Sequence, residues 1–435
     1  MKIPRFLQFE GYETLDFKEF LSQGFIEVPL IAKEDRKRLC CRCDTELTHE
    51  RGRYLVKLRG LAVMQFRLIV KFFRYKGYCP KCKKARAEKV EFISKESPHL
   101  TQDFADFIGN LCEIAPVSRV AELFGLNQLT TWRIDFRRLR KLLAKYPIPK
   151  VTAISVDEVY ARKKSKFKDE SRNRKFFTVI SDLNTHKVIW VSESRDTEAL
   201  EQFYLLIGEE ACREIKVAAM DQHEDYAKAT KRHCPNATIV WDRFHIMQNF
   251  EEALNNQRKH LHEEQPRGTE LKRLTRGRFR FLFLKKDIRR TEEEKQHIND
   301  VIQENDRFLK LEVIKERMLT FFDEKDVISA KKVFEEIGEW IWQSGFGHLM
   351  DWYRNLEKGW DTLKNYFIYR VTSSLSEGIN NVIKALKRRA FGYKNMWYFR
   401  LKIMQVCGYL NARYIASSNQ SLGSPFYSGV FTSKK

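Results

Sequence analysis

The stretch AISVDEVYARKK, residues 153–164, runs apolar and β-prone through Ala153, Ile154 and Val156, then meets Asp157 and Glu158 and turns basic within four residues. A strand end that gathers carboxylates can hold a hard divalent cation, and cations beside it suit a polyanion. The plain alternative is a solvated strand end, because charged residues commonly stop strands at the surface. The text downstream favours the first reading. KFFTVISDL (175–183), a turn at Asn184 and Thr185, and KVIWVSES (187–194) read as a hairpin. A helix follows in DTEALEQFYLLIGEEA (196–211), then the strand EIKVAAMD (214–221), another helix, and a strand running to ATIVWDRFH (237–245). Strand, hairpin, helix, parallel strand sets the ends of the first and fourth strands side by side when the crossover is right-handed. Asp157 and Asp221, with 63 residues between them, are therefore expected to meet at carboxyl ends of strands, where ligands gather in such sheets. Like charges that close need cations between them.

Working outward, 435 residues exceed what a single hydrophobic core usually supports, so roughly two to four domains are expected. The formal charge of +22, from 80 Lys and Arg against 58 Asp and Glu, points to a polyanionic partner, nucleic acid ahead of an anionic membrane. The start, MKIPRFLQFEGYETLDF, lacks the apolar core of a signal peptide, and no apolar run of about 18 residues occurs. A soluble, internal protein is expected, in which nine cysteines serve as ligands or reduced core residues rather than disulfides.

Upstream, CCRC (40–43) and CPKC (79–82) flank strand-like text. Cys40, Cys43, Cys79 and Cys82 can supply four thiolates to a structural Zn²⁺, with Cys41 an alternative to Cys40. In residues 98–149 the apolar positions Val117, Val120, Ala121 and Phe124 follow a helical period, Gly125 supplies a turn, and Leu129, Trp132 and Phe136 resume the stripe. That is a helix-turn-helix pattern, whose second helix carries Gln128, Thr130, Thr131, Arg133, Arg137 and Arg138 toward a major groove. An ordinary helical pair with a basic face is the competing reading.

Downstream, residues 250–370 read as a charged helical segment, its Trp residues at 340, 342, 352 and 360 taken as core. In RVTSSLSEGINNVIKALKRRAFGYKN (370–395) a helix opens near Glu377 with Ile379, Val382, Ile383 and Leu386 on its apolar stripe. Beyond Glu377 no Asp or Glu follows, against ten Lys and Arg, a face suited to a phosphate backbone. Ser374 and Glu377 also fit an S-x-x-E capping box, which accounts for Glu377 without catalysis. The Ser/Gly-rich tail, 416–435, is expected to be disordered.

ISVDEVYARKK, FFTVISDLNTHKVIWVSESRD, MDQHEDYAKATKRHCPNATIVWDRFHIMQN and SEGINNVIKALKRRAFGYKN together resemble bacterial DDE transposases of the ISL-three insertion-sequence type over nearly the whole chain. The DRFH and SEGINN blocks carry the resemblance most specifically. It implies a multidomain α+β protein: a four-cysteine zinc-binding module (1–97), a helix-turn-helix (98–149), an RNase H-like α/β catalytic core (150–249 and 371–415) and a large helical insertion (250–370). It implies a catalytic triad of Asp157, Asp221 and Glu377 holding two Mg²⁺ or Mn²⁺ ions about 3.5–4 Å apart, with Asp242 and His245 near the site. Tyr75, where relatives carry a Cys, and the SSLSEG lead-in to Glu377 depart from the family pattern.

The expected partner is double-stranded DNA, both terminal inverted repeats and target, bound in the cytoplasm by a dimer or larger assembly and not by a membrane-associated protein. Lys384, Lys387, Arg388, Arg389 and Lys394 would position the backbone. Two other readings stand beside it: a DNA-binding regulator with an inactive core, and a structure-specific RNase H-like nuclease that cuts without joining ends.

Overall fold

The computed structural model describes residues 8–161, 176–192, 197–371, 374–390 and 392–418. The basic residues Arg162, Lys163 and Lys164 of the opening stretch, and the tail from 419 onward, lie outside them. Two compact units divide the chain, one up to Tyr146 together with residues from Leu410, the other Pro147–Tyr409.

The first unit is built on strands β1 (Tyr12–Thr14), β2 (Lys18–Phe20), β3 (Phe25–Ala32), β4 (Thr48–Val63), β5 (Phe66–Cys79) and β6 (Lys84–Ala87). They form one sheet of order β1-β3-β5-β4, with β2 on β3 and β6 on β5. Val28, Leu58, Val70 and Phe72 fill its core. Helices α1 (Gln102–Ile114), α2 (Val117–Phe124) and α3 (Gln128–Leu143) follow. Each boundary has a local cause: Thr101 caps α1 by accepting from the Phe104 N–H, Gly125 ends α2 at φ 57°, and Asn127 caps α3 by accepting from the Leu129 N–H.

Two expectations change here. The buried stripe of α3 is Thr131, Ile134, Asp135 and Leu139, not Leu129, Trp132 and Phe136, and Leu129 is 53% exposed. A buried Asp135 carboxylate paired with Arg138 at 2.9 Å makes a charged residue an interior one, which a polar/apolar pattern reads the wrong way round. The border expected at 97/98 also falls inside one compact unit: β4 bridges Leu100 through Arg59, and the Arg59 guanidinium donates to the Phe124 carbonyl.

The second unit carries β7 (Ala153–Tyr160), β8 (Phe176–Asp182), β9 (Lys187–Ser192), α4 (Thr197–Glu214), β10 (Val217–Met220), α5 (Glu224–His233) and β11 (Thr238–Trp241). Strand order is β11-β10-β7-β8-β9, with β7, β8 and β9 antiparallel and β10 and β11 parallel to β7. β8 and β10 are buried almost throughout, as strands covered on both faces must be. α4 and α5 cover one face through Leu200, Phe203, Tyr204, Tyr226 and Ala229.

Helices α6 (Arg243–Glu264), α7 (Glu270–Leu274), α8 (Phe279–Leu284), α9 (Glu292–Glu304), α10 (Asp306–Phe321), α11 (Val327–Ser344), α12 (Gly347–Lys358), α13 (Trp360–Leu363) and α14 (Asn365–Tyr369) follow. They share a core with β10 and β11 built on Phe250, Phe308, Phe321, Ile337 and Leu349. α6 starts at Arg243 and runs unbroken through residue 250, so the helical segment grows directly out of β11. Trp340, Trp352 and Trp360 pack against that core, while Trp342 is 43% exposed beneath the Arg354 guanidinium. Helices α15 (Ser374–Arg389), α16 (Met396–Val406) and α17 (Ala412–Ser418) complete the described chain. Residues 416–418, expected in the tail, are helical.

Candidate functional site

Register builds this site. Val156, Met220 and Trp241 stand side by side on β7, β10 and β11, so the next residues, Asp157, Asp221 and Asp242, form a row along the carboxyl edge. The Asp242 N–H donates to the Met220 carbonyl at 2.9 Å, closing that edge. Each carboxylate is oriented by nearby backbone. Asp157 Oδ1 accepts from the Glu158 N–H at 2.7 Å, Asp221 Oδ1 from the Gln222 N–H at 2.6 Å, and Asp242 Oδ1 from the Phe244 N–H at 2.9 Å, capping α6. The helix N-terminus beside them favours negative charge.

His245, in the first turn of α6, reaches all three. Its Nε2 lies 3.6 Å from Asp157 and 3.9 Å from Asp242, and its Nδ1 3.7 Å from Asp221. These are ion-pair rather than hydrogen-bond distances. Burial pulls the imidazole toward its neutral form, but Asp157, Asp221 and Asp242 together outweigh it and raise its pKa to about 9. At neutral pH His245 is an imidazolium among three carboxylates.

The second segment arrives on α15. Asn380 Nδ2 donates to Asp157 Oδ2 at 2.8 Å, so both oxygens of Asp157 are held. Glu377 lies three residues earlier on the same helix, one turn away on the same face, with an exposed side chain. α15 includes Ser374 within the helix, whereas a capping box puts the Ser at the flanking position. Lys387 Nζ donates to the Tyr160 carbonyl at 3.3 Å and sits 5.0 Å over the Tyr160 ring; Lys384, Arg388, Arg389 and Lys394 are exposed. Ile379 and Ile383 bury the apolar face, but Val382 is 43% exposed. The sequence reading assigned Asn380 no role. Its spacing from Glu377 was visible, its bond to Asp157 was not.

The row offers hard oxygen donors, the chemistry that suits Mg²⁺ or Mn²⁺. It is less converged than the second candidate centre. Among the described residues, Cys40, Cys43, Cys79 and Cys82 are the one set whose ligating atoms all lie within 4.8 Å of one another. Sγ separations are 3.4 Å for Cys43–Cys79, 3.5 Å for Cys82–Cys43 and 4.0 Å for Cys40–Cys82. The N–H groups of Arg42 and Cys82 point at the sulfurs of Cys40 and Cys79, each at 3.4 Å, so each CxxC turn aims its thiols inward. Hydrogen bonding with Thr45 pulls the Cys43 thiol down to about 6, while the bond to Cys43 and burial push the Cys82 thiol up to about 12, so the cluster shares its protons unevenly and a metal would have to displace those that remain. Four sulfurs at this spacing could hold Zn²⁺. Cys41 is exposed and outside the cluster, and Tyr75 lies under the Arg38 guanidinium, 3.9 Å from its ring centroid.

On α3, Gln128 and Arg133 are exposed and Thr130 half-buried. Thr131 is fully buried, its Oγ1 donating to the Asn127 carbonyl. Arg138 is committed to Asp135 and Glu113, and Arg137 donates to the Lys95 carbonyl at 2.7 Å. Thr131 and Arg138 therefore hold the helices together rather than facing outward. No helix of the described residues is long and apolar enough to cross a membrane.

Residues 154–403 match a family described as transposase, of the ISL3 DDE type. The match runs from β7 into α16 and so covers the acidic row, the helical segment and α15. The chain is 24% identical over 370 residues, 84% of its length and 87% of the relative's, to the transposase for insertion sequence element IS1001 of Bordetella parapertussis. A shorter similarity, 26% over 88 residues and 20% of each chain, links it to the transposase for insertion sequence element IS1557 of Mycobacterium tuberculosis.

Proposed function

The chain belongs to the ISL3 family of DDE transposases, and from that premise we propose that it binds the terminal inverted repeats of an insertion sequence and catalyses metal-dependent DNA strand cleavage and strand transfer. The observation that carries this reading is the row Asp157, Asp221, Asp242 behind three register-matched strands, with the Glu377 helix bonded to it through Asn380. An antiparallel meander with two parallel strands added beside its first strand supports an RNase H-like core, and the helices from α6 to α14 support a large insertion before the third acidic residue.

Asp157, Asp221 and Glu377 would hold two Mg²⁺ or Mn²⁺ ions. Bound there, the metal supplies Lewis acidity to the attacking and leaving oxygens of an in-line displacement. The chain's own residues do the rest. Asn380 and the Glu158 N–H keep Asp157 in one orientation, and the Gln222 N–H does so for Asp221. The imidazolium of His245 and the start of α6 offset the charge of the row until a cation does. Lys384, Lys387, Arg388, Arg389 and Lys394 take up backbone phosphates without reading sequence. Gln128, Thr130 and Arg133 on α3, read as the second helix of a helix-turn-helix, would reach base edges, a role their exposure supports, and a structural Zn²⁺ on the four cysteines would stabilise the N-terminal unit. The protein works in the cytoplasm, on inverted repeats and target DNA, as a dimer or larger assembly that joins two ends.

The test is a plasmid carrying the gene's own flanking DNA, incubated with purified protein and Mg²⁺ beside the Asp221→Asn variant, with 3′-ends mapped by sequencing. Paired cuts at inverted repeats by the wild type alone, with both proteins binding the flanks, is the expected result. Binding by both and cutting by neither, in Mg²⁺ or Mn²⁺, would make the chain a DNA-binding regulator instead.

A further inference from the structure

The longest element of the N-terminal unit has no part in the function proposed above. β4 and β5 pair from Thr48↔Tyr78 to Val63↔Phe66. On its other side β5 is joined by β3 only from Arg67 to Lys71 and by β6 only from Lys76 to Cys79. Between those contacts Phe72–Arg74 has β4 as its one strand neighbour, the Glu88 N–H closes on the Tyr75 carbonyl at 2.8 Å, and β4 is the sheet's edge. A two-stranded ribbon thus runs from the sheet toward the cysteine cluster.

Its chemistry is one-sided. Residues 48–79 hold eight Lys and Arg and a single carboxylate, Glu50, and Glu50 pairs with Arg38 at 2.8 Å. Arg51, Arg53, Lys57 and Lys76 are exposed, and among the described residues none has a carboxylate partner. Strand alternation puts Arg53, Leu55 and Lys57 on one face, and register sets Phe73 opposite Leu55. Leu55 and Phe73 are each 45% exposed. The Arg53 guanidinium lies 4.8 Å over the Phe73 ring, and on the opposite face the Lys76 ammonium lies 5.2 Å over Tyr54. Cations without carboxylate partners, interleaved with apolar side chains, match a phosphate backbone and the sugar and base edges beneath it. A two-stranded ribbon is also a shape that the major groove of a DNA duplex admits.

We propose that the exposed ribbon of β4 and β5 is a DNA-docking surface separate from α3, with Arg51, Arg53 and Lys57 on backbone phosphates and Leu55 and Phe73 against the groove wall. It deepens the proposed function and rests on that reading for the duplex it binds.

The experiment measures binding of the full chain, without divalent metal, to two duplexes of equal length, the gene's own flank and a shuffled sequence, across a salt series. The triple variant Arg51→Ala, Arg53→Ala, Lys57→Ala is expected to lose affinity for both duplexes alike, on the order of tenfold or more, and to flatten the log–log salt slope by about 0.9 for each phosphate contact removed. Phe73→Lys adds a cation to the same face and steepens the slope by about the same step, a gain that misfolding cannot imitate. Arg133→Ala on α3 changes the preference between the two duplexes instead. Wild-type affinity and slope in the triple variant would overturn the proposal, as would an unchanged slope accompanied by loss of self-association, which makes a second copy the occupant. A wild type with no preference for its own flank defeats the transposase reading rather than the ribbon, since the ribbon acts on both duplexes.

Discussion

At the scale of single residues, the site turns on His245. Three carboxylates within 3.6–3.9 Å hold it charged, with its pKa near 9 against burial that would lower it. Because the folded value lies above the ordinary 6.5, the stabilisation is fully present below about pH 6.5 and is lost as pH rises toward 9. NMR titration of the protein in chelator should find one imidazole with a midpoint near 9 that moves back toward 6.5 in the Asp157→Asn variant. A midpoint at or below 6.5 in the unmutated protein would remove His245 from the acidic row. Asp157 and Asp221 were legible because each ends an apolar strand. Asn380 and the charged state of His245 were not, because each depends on a partner more than 80 residues away in sequence.

At the scale of elements, two devices place those residues. The first is close packing of Gly359 on the Trp241 ring: a Cβ at position 359 would lie 1.6 Å from the ring. Trp241 is the residue before Asp242 and the last of β11, so an added methyl there displaces the end of the acidic row. Gly359→Ala is expected to lower the stability of the second unit by about 1–3 kcal/mol, read by denaturant unfolding, and to reduce cleavage. The second device is the cysteine cluster at the end of β5. On the proposed zinc site, Cys79→Ser should abolish zinc binding, read by elemental analysis, and should make the ribbon of β4 and β5 exchange its amide protons faster. Both CxxC pairs were plain in the sequence because each is a local turn. The buried face of α3 was misjudged because Asp135 becomes an interior residue only once Arg138 is folded against it.

At the scale of the whole molecule, the formal charge of +22 governs how the chain meets DNA. Binding should weaken steeply with salt, losing about 0.9 in log–log slope for every phosphate neutralised. A flat titration would mean that the charge is spent within the protein. Exposed cations on α15, among them Lys384, Arg388 and Arg389, and on the β4–β5 ribbon, among them Arg51, Arg53 and Lys57, argue that much of it is not.

The sequence by itself determined the order and kind of most elements, the two cysteine pairs and the candidate acidic residues, since hydrophobic period, caps and turn residues act over a few positions. Only the tertiary structure decided that β11 adds Asp242 to the row, that Asn380 grips Asp157, that α6 runs without a break from the sheet into the helical segment, and that Thr131 and Arg138 face inward. Those outcomes depend on strand register and on packing between segments far apart in the chain, and a local pattern carries no information about either.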